Sequence, residues 1–458
     1  MAKLWQKQYK LDELIERFTV GADYLLDRQL LVADCAASVA HARMLAEVGL
    51  LSHDEREKLE RELGAIAREA AEGRFEIARE EEDGHTAIEN RLTARLGEPG
   101  EKIHTGRSRN DQVITAVRLY LKGYLLELFG AAAAAAELLF ERAGRYADLP
   151  MVGRTHTQPA MPSTVGLWLA AYGEELLDLL QLLHGTYALV DQSPLGAAAS
   201  YGVPLPLDRE RVAELLGFAR VQNNVLYVNN SRGRIESLVL ELLDQIGLTL
   251  NKLATDLILF SLPEFGYVSL PEELCSGSSI MPQKRNPDGL ELVRAKSGML
   301  AGWAAQVKNA VRSLPSGYNR DFQETKQPLF AAAAAALDCV RVMTLTIDRL
   351  EVHPDRLRAA FTPEVFATDA ALEKLRAGRS FRDAYREVAA HPEAAGARDP
   401  KQAIAARTAT GSPGNLALEN PRARLTALRT WAAGEQRALG AVIEDLLGSA
   451  LPLYAQPE

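Results

Sequence analysis

Residues 234–261 read RIESLVLELLDQIGLTLNKLATDLILFS, and their spacing decides the fold class. Apolar side chains fall at Ile235, Leu238, Val239, Leu242, Leu243, Ile246, Leu250, Leu253 and Leu257, repeatedly three or four apart. That is the period of a helix, not the alternation of a strand. At 1.5 Å per residue such a helix spans about 40 Å, well beyond the average of about 11 or 12 residues. A rod of that length with an apolar stripe needs partners all along it. Similar patterns run from about Asn110 to Tyr146, Pro162 to Val190, Asn286 to Val311 and Lys326 to Leu350. Five long helices predict an all-α architecture with a central bundle.

The surrounding sequence agrees. Alanine hexads at 131–136 and 331–336 sit inside helical patterns, where alanine has the highest propensity and lets helices approach closely. Strand signals are sparse, VQNNVLYV at 221–228 being the best of them. Helix breakers cluster at 147–163, 191–208, 262–289 and 312–328, which predicts loops or helix ends there. The chain divides into an N-terminal helical domain (1–108), a central long-helix bundle (109–360) and a small helical C-terminal domain (361–458).

Of the 458 residues, 47% are hydrophobic and 25% charged, a globular composition far from that of disorder. The net charge of −9 argues against a broad nucleic-acid-binding surface. Three scattered cysteines, Cys35, Cys275 and Cys339, suit a reducing compartment and form neither a disulfide framework nor a zinc site. The opening residues lack a signal-peptide pattern, and no uninterrupted apolar stretch has the length of a membrane helix. The expected location is cytoplasmic, without membrane contact.

Polar, cationic segments stand at the breaks between the helices. CSGSSIMPQKRNP at 275–287 combines accessible backbone N–H groups, the hydroxyls of Ser278 and Ser279, the charge of Lys284 and the amide of Asn286, a set suited to an anion. A serine there can act as a base if cations and N–H dipoles stabilise its alkoxide. Thr155 and His156 lie in GRTHTQP at the mouth of the next long helix; a histidine's intrinsic pKa near 6.5 suits proton exchange at neutral pH. Ser108, Arg109 and Asn110 can grip a carboxylate or simply cap the following helix. His85 either faces a site or pairs with Glu89 four residues on. The remaining histidines form no ligand spacing, and no phosphate-binding glycine motif occurs, so neither a metal nor a nucleotide cofactor is expected.

GSSIMPQKRNP at 277–287 closely resembles the signature loop of the fumarase, aspartase and argininosuccinate lyase superfamily, and HTGRSRNDQ at 104–112 and GRTHTQPAMP at 153–162 agree with it in order. Within that superfamily, HTGRSRND, MPQKRNPD and YNRDFQE are most similar to the argininosuccinate lyases. The resemblance implies cleavage of argininosuccinate to fumarate and arginine by anti elimination, in arginine biosynthesis. It implies Ser278 as the base and His156 on the leaving-group side, directly or through water. Substrate contacts are implied for Ser108, Arg109, Asn110, Thr155, Ser279, Lys284, Asn286, Tyr318, Gln323, Lys326 and His85. It further implies a homotetramer whose active sites draw their signature regions from different chains.

Two departures from the family pattern stand out. Asp23 or a neighbour occupies a place where many argininosuccinate lyases carry serine, and the family's SDRDF-like stretch appears as Ser231-Arg-Gly-Arg-Ile235, leaving Arg232 and Arg234 as alternative arginine contacts. The competing readings are another fumarate-releasing lyase, an adenylosuccinate lyase or fumarase, and a non-enzymatic crystallin-like relative.

Overall fold

The computed structural model describes residues 12–456. The five expected long helices are present at Arg109–Arg145, Val165–Val190, Arg234–Ser261, Asp288–Val311 and Lys326–Arg349. They pack side by side, the Arg234–Ser261 helix lying along Asp288–Val311, Val165–Val190 and Lys326–Arg349. The stripe at 234–261 explains this: Ile235, Val239, Leu242, Leu243, Ile246, Leu250, Leu253 and Leu257 are all buried, while Leu238 remains 38% exposed. Each fully buried leucine contributes about 1.5–3 kcal/mol. Both alanine hexads lie within helices; Ala132, Ala133, Ala135 and Ala136 are buried, as are Ala332, Ala333, Ala335 and Ala336.

Two expectations fail locally. VQNNVLYV is no strand: Val221 makes an isolated bridge to Ser193, and Val225–Asn230 is a short helix whose Asn224 cap accepts the Tyr227 N–H at 2.9 Å. The break at 147–163 is instead an antiparallel hairpin, Pro150–Thr155 paired with Gln158–Thr164. The only other named sheet among the described residues is a two-residue pairing of Val268–Ser269 with Glu351–Val352.

The C-terminal part does not stay apart from the bundle. Glu419–Leu447, 29 residues long, packs along Arg109–Arg145 and touches Leu31–Glu47, His53–Ala71 and Val165–Val190. Arg422 and Arg429 donate to the carbonyls of Phe140 (3.0 Å) and Ala133 (3.1 Å), and Trp431 meets Phe129 edge to face. The division at 360 therefore does not separate this helix from the central bundle.

Candidate active site

The Arg109–Arg145 helix begins at the first signature. Ser108 is its N-cap and Asp111 its third residue, closing a reciprocal capping box: the Ser108 N–H donates to Asp111 Oδ1 at 2.9 Å. The capping reading of this run is therefore correct, and it is compatible with a site. Ser108, Arg109 and Asn110 line a cavity of about 540 Å³. Across it stand Tyr318, Gln323 and Lys326, which the turn Arg320–Thr325 delivers to the start of the next long helix. Gln323 Nε2 donates to the carbonyls of Thr19 (3.1 Å) and Val20 (3.3 Å), and Arg320 Nη2 donates to Thr19 (2.6 Å), fastening this wall to the N-terminal helix.

The charges in the cavity come in opposed sets. Lys326 is buried, its Nζ 2.6 Å from Asp27 Oδ1 and 3.0 Å from Asp23 Oδ2. Burial pushes the Asp23 carboxyl up to about 6 against the pull of Lys326. Asp27, fully buried, is nonetheless held below the usual carboxylate range, because Lys326 and His85 outweigh desolvation. Arg109 Nη2 lies 2.6 Å from Asp83 Oδ2 and 3.2 Å from Glu82 Oε2. Glu82 adopts φ 68°, a left-handed conformation that a non-glycine residue holds only under constraint. Arg107, also on the cavity wall, is buried and donates to Ser38 Oγ at 2.9 Å.

His85 departs from both of its sequence readings. It is buried behind the wall instead of lining the cavity, and it pairs with Asp34 (Nδ1 to Oδ2, 2.5 Å), not with Glu89. Desolvation works against its charged form, but Asp34, Asp83 and Asp27 raise its pKa overall. Glu89 lies instead 3.6 Å from His104. Of the two alternative arginines, Arg232 is buried and lines the cavity; Arg234 is exposed and does not line it.

The other two signatures lie elsewhere on the chain. Thr155 and His156 are exposed at the turn of the hairpin, not at a helix mouth; the next helix starts at Val165, capped by Thr164. His156 (φ 53°) and Thr157 (φ 62°) are both left-handed, as a two-residue hairpin turn requires and as glycine or asparagine would adopt more easily. The 275–287 segment is a surface loop closed at its base by Ser276 and Asn286, which exchange backbone hydrogen bonds at 3.1 and 2.8 Å. Within it Ser278 is half-buried, its Oγ accepting the N–H groups of Met281 (3.1 Å) and Ile280 (3.4 Å). Asn286 Nδ2 donates to the Gly277 carbonyl at 3.3 Å. Ser279 and Lys284 are exposed. One chain thus brings together Ser108, Arg109, Asn110, Tyr318, Gln323 and Lys326 in its cavity, and presents Thr155, His156, Ser278, Ser279, Lys284 and Asn286 on loops that do not line it.

Glu82 and Asp83 line the cavity and Asp27, behind its wall, pairs with Lys326; none of the three is anticipated from the sequence. The run EEEDG at 80–84, next to His85, is the available signal for Glu82 and Asp83.

The lyase family profile matches residues 6–302. An argininosuccinate lyase from Stenotrophomonas maltophilia is 45% identical over 427 residues, 93% of this chain and 99% of its own length. One from Thermotoga neapolitana is 45% identical over 387 residues, covering 84% of this chain and 97% of that protein. Among solved structures, EDDS lyase in complex with formate superimposes with a TM-score of 0.79 at 24% identity, covering 98% of this chain and 96% of that one, a likeness of fold. With this extent of identity over nearly the whole length, the chain belongs to the argininosuccinate lyase family of fumarate-releasing lyases.

Proposed function

We propose that the chain cleaves argininosuccinate reversibly to fumarate and arginine by anti elimination, serving arginine biosynthesis in the cytoplasm as a homotetramer with active sites shared between subunits. The observation that carries this reading is the union, in one cavity, of Ser108, Arg109 and Asn110 with Tyr318, Gln323 and Lys326, more than 200 residues later in the chain.

Argininosuccinate carries three carboxylates, an ammonium group and a guanidinium. A cavity whose cations are each braced by carboxylates suits such a molecule: Lys326 and Arg109 meet its carboxylates, while Asp23, Glu82 and Asp83 accept its cationic groups. The bracing also fixes each cation before substrate arrives, so less ordering is needed on binding.

Cleavage removes a weakly acidic proton from the succinyl carbon beside a carboxylate and then expels a guanidine nitrogen. The intermediate places extra charge on that carboxylate, where pre-positioned donors act most strongly. Lys284, Asn286, Ser279 and the loop N–H groups suit this role. Ser278 is the base: the Met281 and Ile280 N–H groups already donate to its oxygen and would stabilise its alkoxide. His156, aided by Thr155, serves the opposite, leaving-group side.

In this reading a neighbouring copy supplies these loop residues to the cavity. The long helices support self-association, since Leu248 (55%), Leu292 (57%) and Met299 (51%) remain largely exposed on them.

Ser278→Ala tests the assignment. Turnover should fall by about 10²–10⁴-fold with KM for argininosuccinate close to that of the parent. His156→Asn should reduce turnover by a smaller factor. Near-normal turnover of Ser278→Ala would end its role as base.

A further inference from the structure

At the N-terminal end of the Arg234–Ser261 helix lies a second cavity, of about 450 Å³, lined among others by Asn230, Arg232, Arg234, Lys308, Arg312 and Ser316. Its charge balance differs from that of the first. Lys308 pairs with Glu241, but Arg232, Arg234 and Arg312 have no ion-pair partner among the described residues. Arg232 is only 5% exposed and makes no side-chain hydrogen bond to a described residue; its recorded contact is with the Phe322 ring, 5.8 Å away. Two carboxylates act on Arg232 without pairing with it: Glu236, which accepts the Gly233 N–H at 2.8 Å and feels Arg118 more strongly, and Asp23 of the first cavity, which is held by Lys326. Burying a guanidinium without a hydrogen-bonded carboxylate is costly, so a site that keeps one beside two further arginines that form no ion pair with a described residue suits an anion.

The cavity is also connected to the first. Arg232 lines both. Asn230 Oδ1 accepts the Gly317 N–H at 2.9 Å and its Nδ2 donates to Ser316 Oγ at 3.3 Å, which pins the segment leading into Tyr318. The Ser316 hydroxyl hydrogen remains available to a ligand.

We propose that this cavity binds a small oxyanion of two or more negative charges, a phosphate or a di- or tricarboxylate, and that its occupancy is felt in the first cavity through the shared Arg232. An anion in the second cavity draws on the Arg232 charge and weakens the hold of the first on a substrate carboxylate, raising KM with little change in kcat. This last consequence rests on the function proposed above; the binding itself does not.

Calorimetric titration of the assembled protein at low ionic strength, with inorganic phosphate and separately with citrate, tests the binding without turnover. Arg312 lines the second cavity and not the first, so Arg312→Gln should weaken binding about tenfold, and Arg312→Lys should restore most of it. KM of Arg312→Gln for argininosuccinate without added anion should equal that of the parent, and the anion should raise KM severalfold only in the parent. Whichever of the two anions behaves this way supports the site and identifies the ligand chemistry. Absence of saturable binding by either, or equal binding by Arg312→Gln, would overturn the proposal, the latter by placing the anion in the first cavity.

Discussion

Asp23 shows most clearly what a single side chain adds to this site. Two carboxylates, Asp23 and Asp27, share one buried ammonium, that of Lys326, and burial holds the Asp23 carboxyl near 6 while Lys326 opposes the rise. A carboxyl whose folded pKa lies above its ordinary 3.8 takes up its proton more readily when folded. Its contribution to stability is therefore fully present below 3.8 and is lost as pH rises through about 6. Removing the titration by Asp23→Asn should raise stability relative to the parent progressively across that window, in denaturant titrations at pH 3.5, 5 and 7. A pH-independent difference would mean that Asp23 is not held in this state. Residues carried by long, unusual strings, such as Ser108 to Asn110 and Tyr318 to Lys326, were legible in the sequence. Asp27, Glu82 and Asp83 were not, because acidic residues near helix starts ordinarily cap or solvate them, and only the fold shows that these pair with Lys326 and Arg109.

The elements read well where periodicity is long and poorly where it is short. The Arg234–Ser261 helix matches its expected limits because its apolar stripe persists for 28 residues. The hairpin at 150–164 was hidden by Pro159 and Pro162, by the lack of alternation, and by a His-Thr turn in place of the usual glycine-containing one. The start of the 234–261 helix carries a more severe constraint. Gly233 adopts φ 76°, and a Cβ there would lie 2.4 Å from Val311 Cγ1. Gly233→Ala therefore combines a left-handed strain with overpacking against the facing helix, and should cost about 2–4 kcal/mol. The midpoint of chemical denaturation measures this directly; an unchanged midpoint would show that the two helices can separate freely at this end.

At the scale of the molecule, the signature residues of one chain fall into two groups, one lining the cavity and one on loops that do not line it. The resemblance to a tetrameric superfamily made this expectation available, whereas the merging of the C-terminal helix Glu419–Leu447 into the bundle was not legible, since its alanine- and arginine-rich sequence carries no motif. If the site is shared, a chain bearing Ser278→Ala and a chain bearing Gln323→Leu should each be inactive alone. Co-expressed, they should regain part of the parent activity, because some mixed assemblies contain a site with both parent residues. No recovery, with mixed assemblies demonstrated by mass, would place both residues of each site on one chain.

The most direct measurement is to incubate the purified protein with argininosuccinate, without added metal or nucleotide, following fumarate by ultraviolet absorbance and arginine by chromatography. The account predicts both products in equal amounts. No product from argininosuccinate, with adenylosuccinate or malate converted by the same sample, would contradict it.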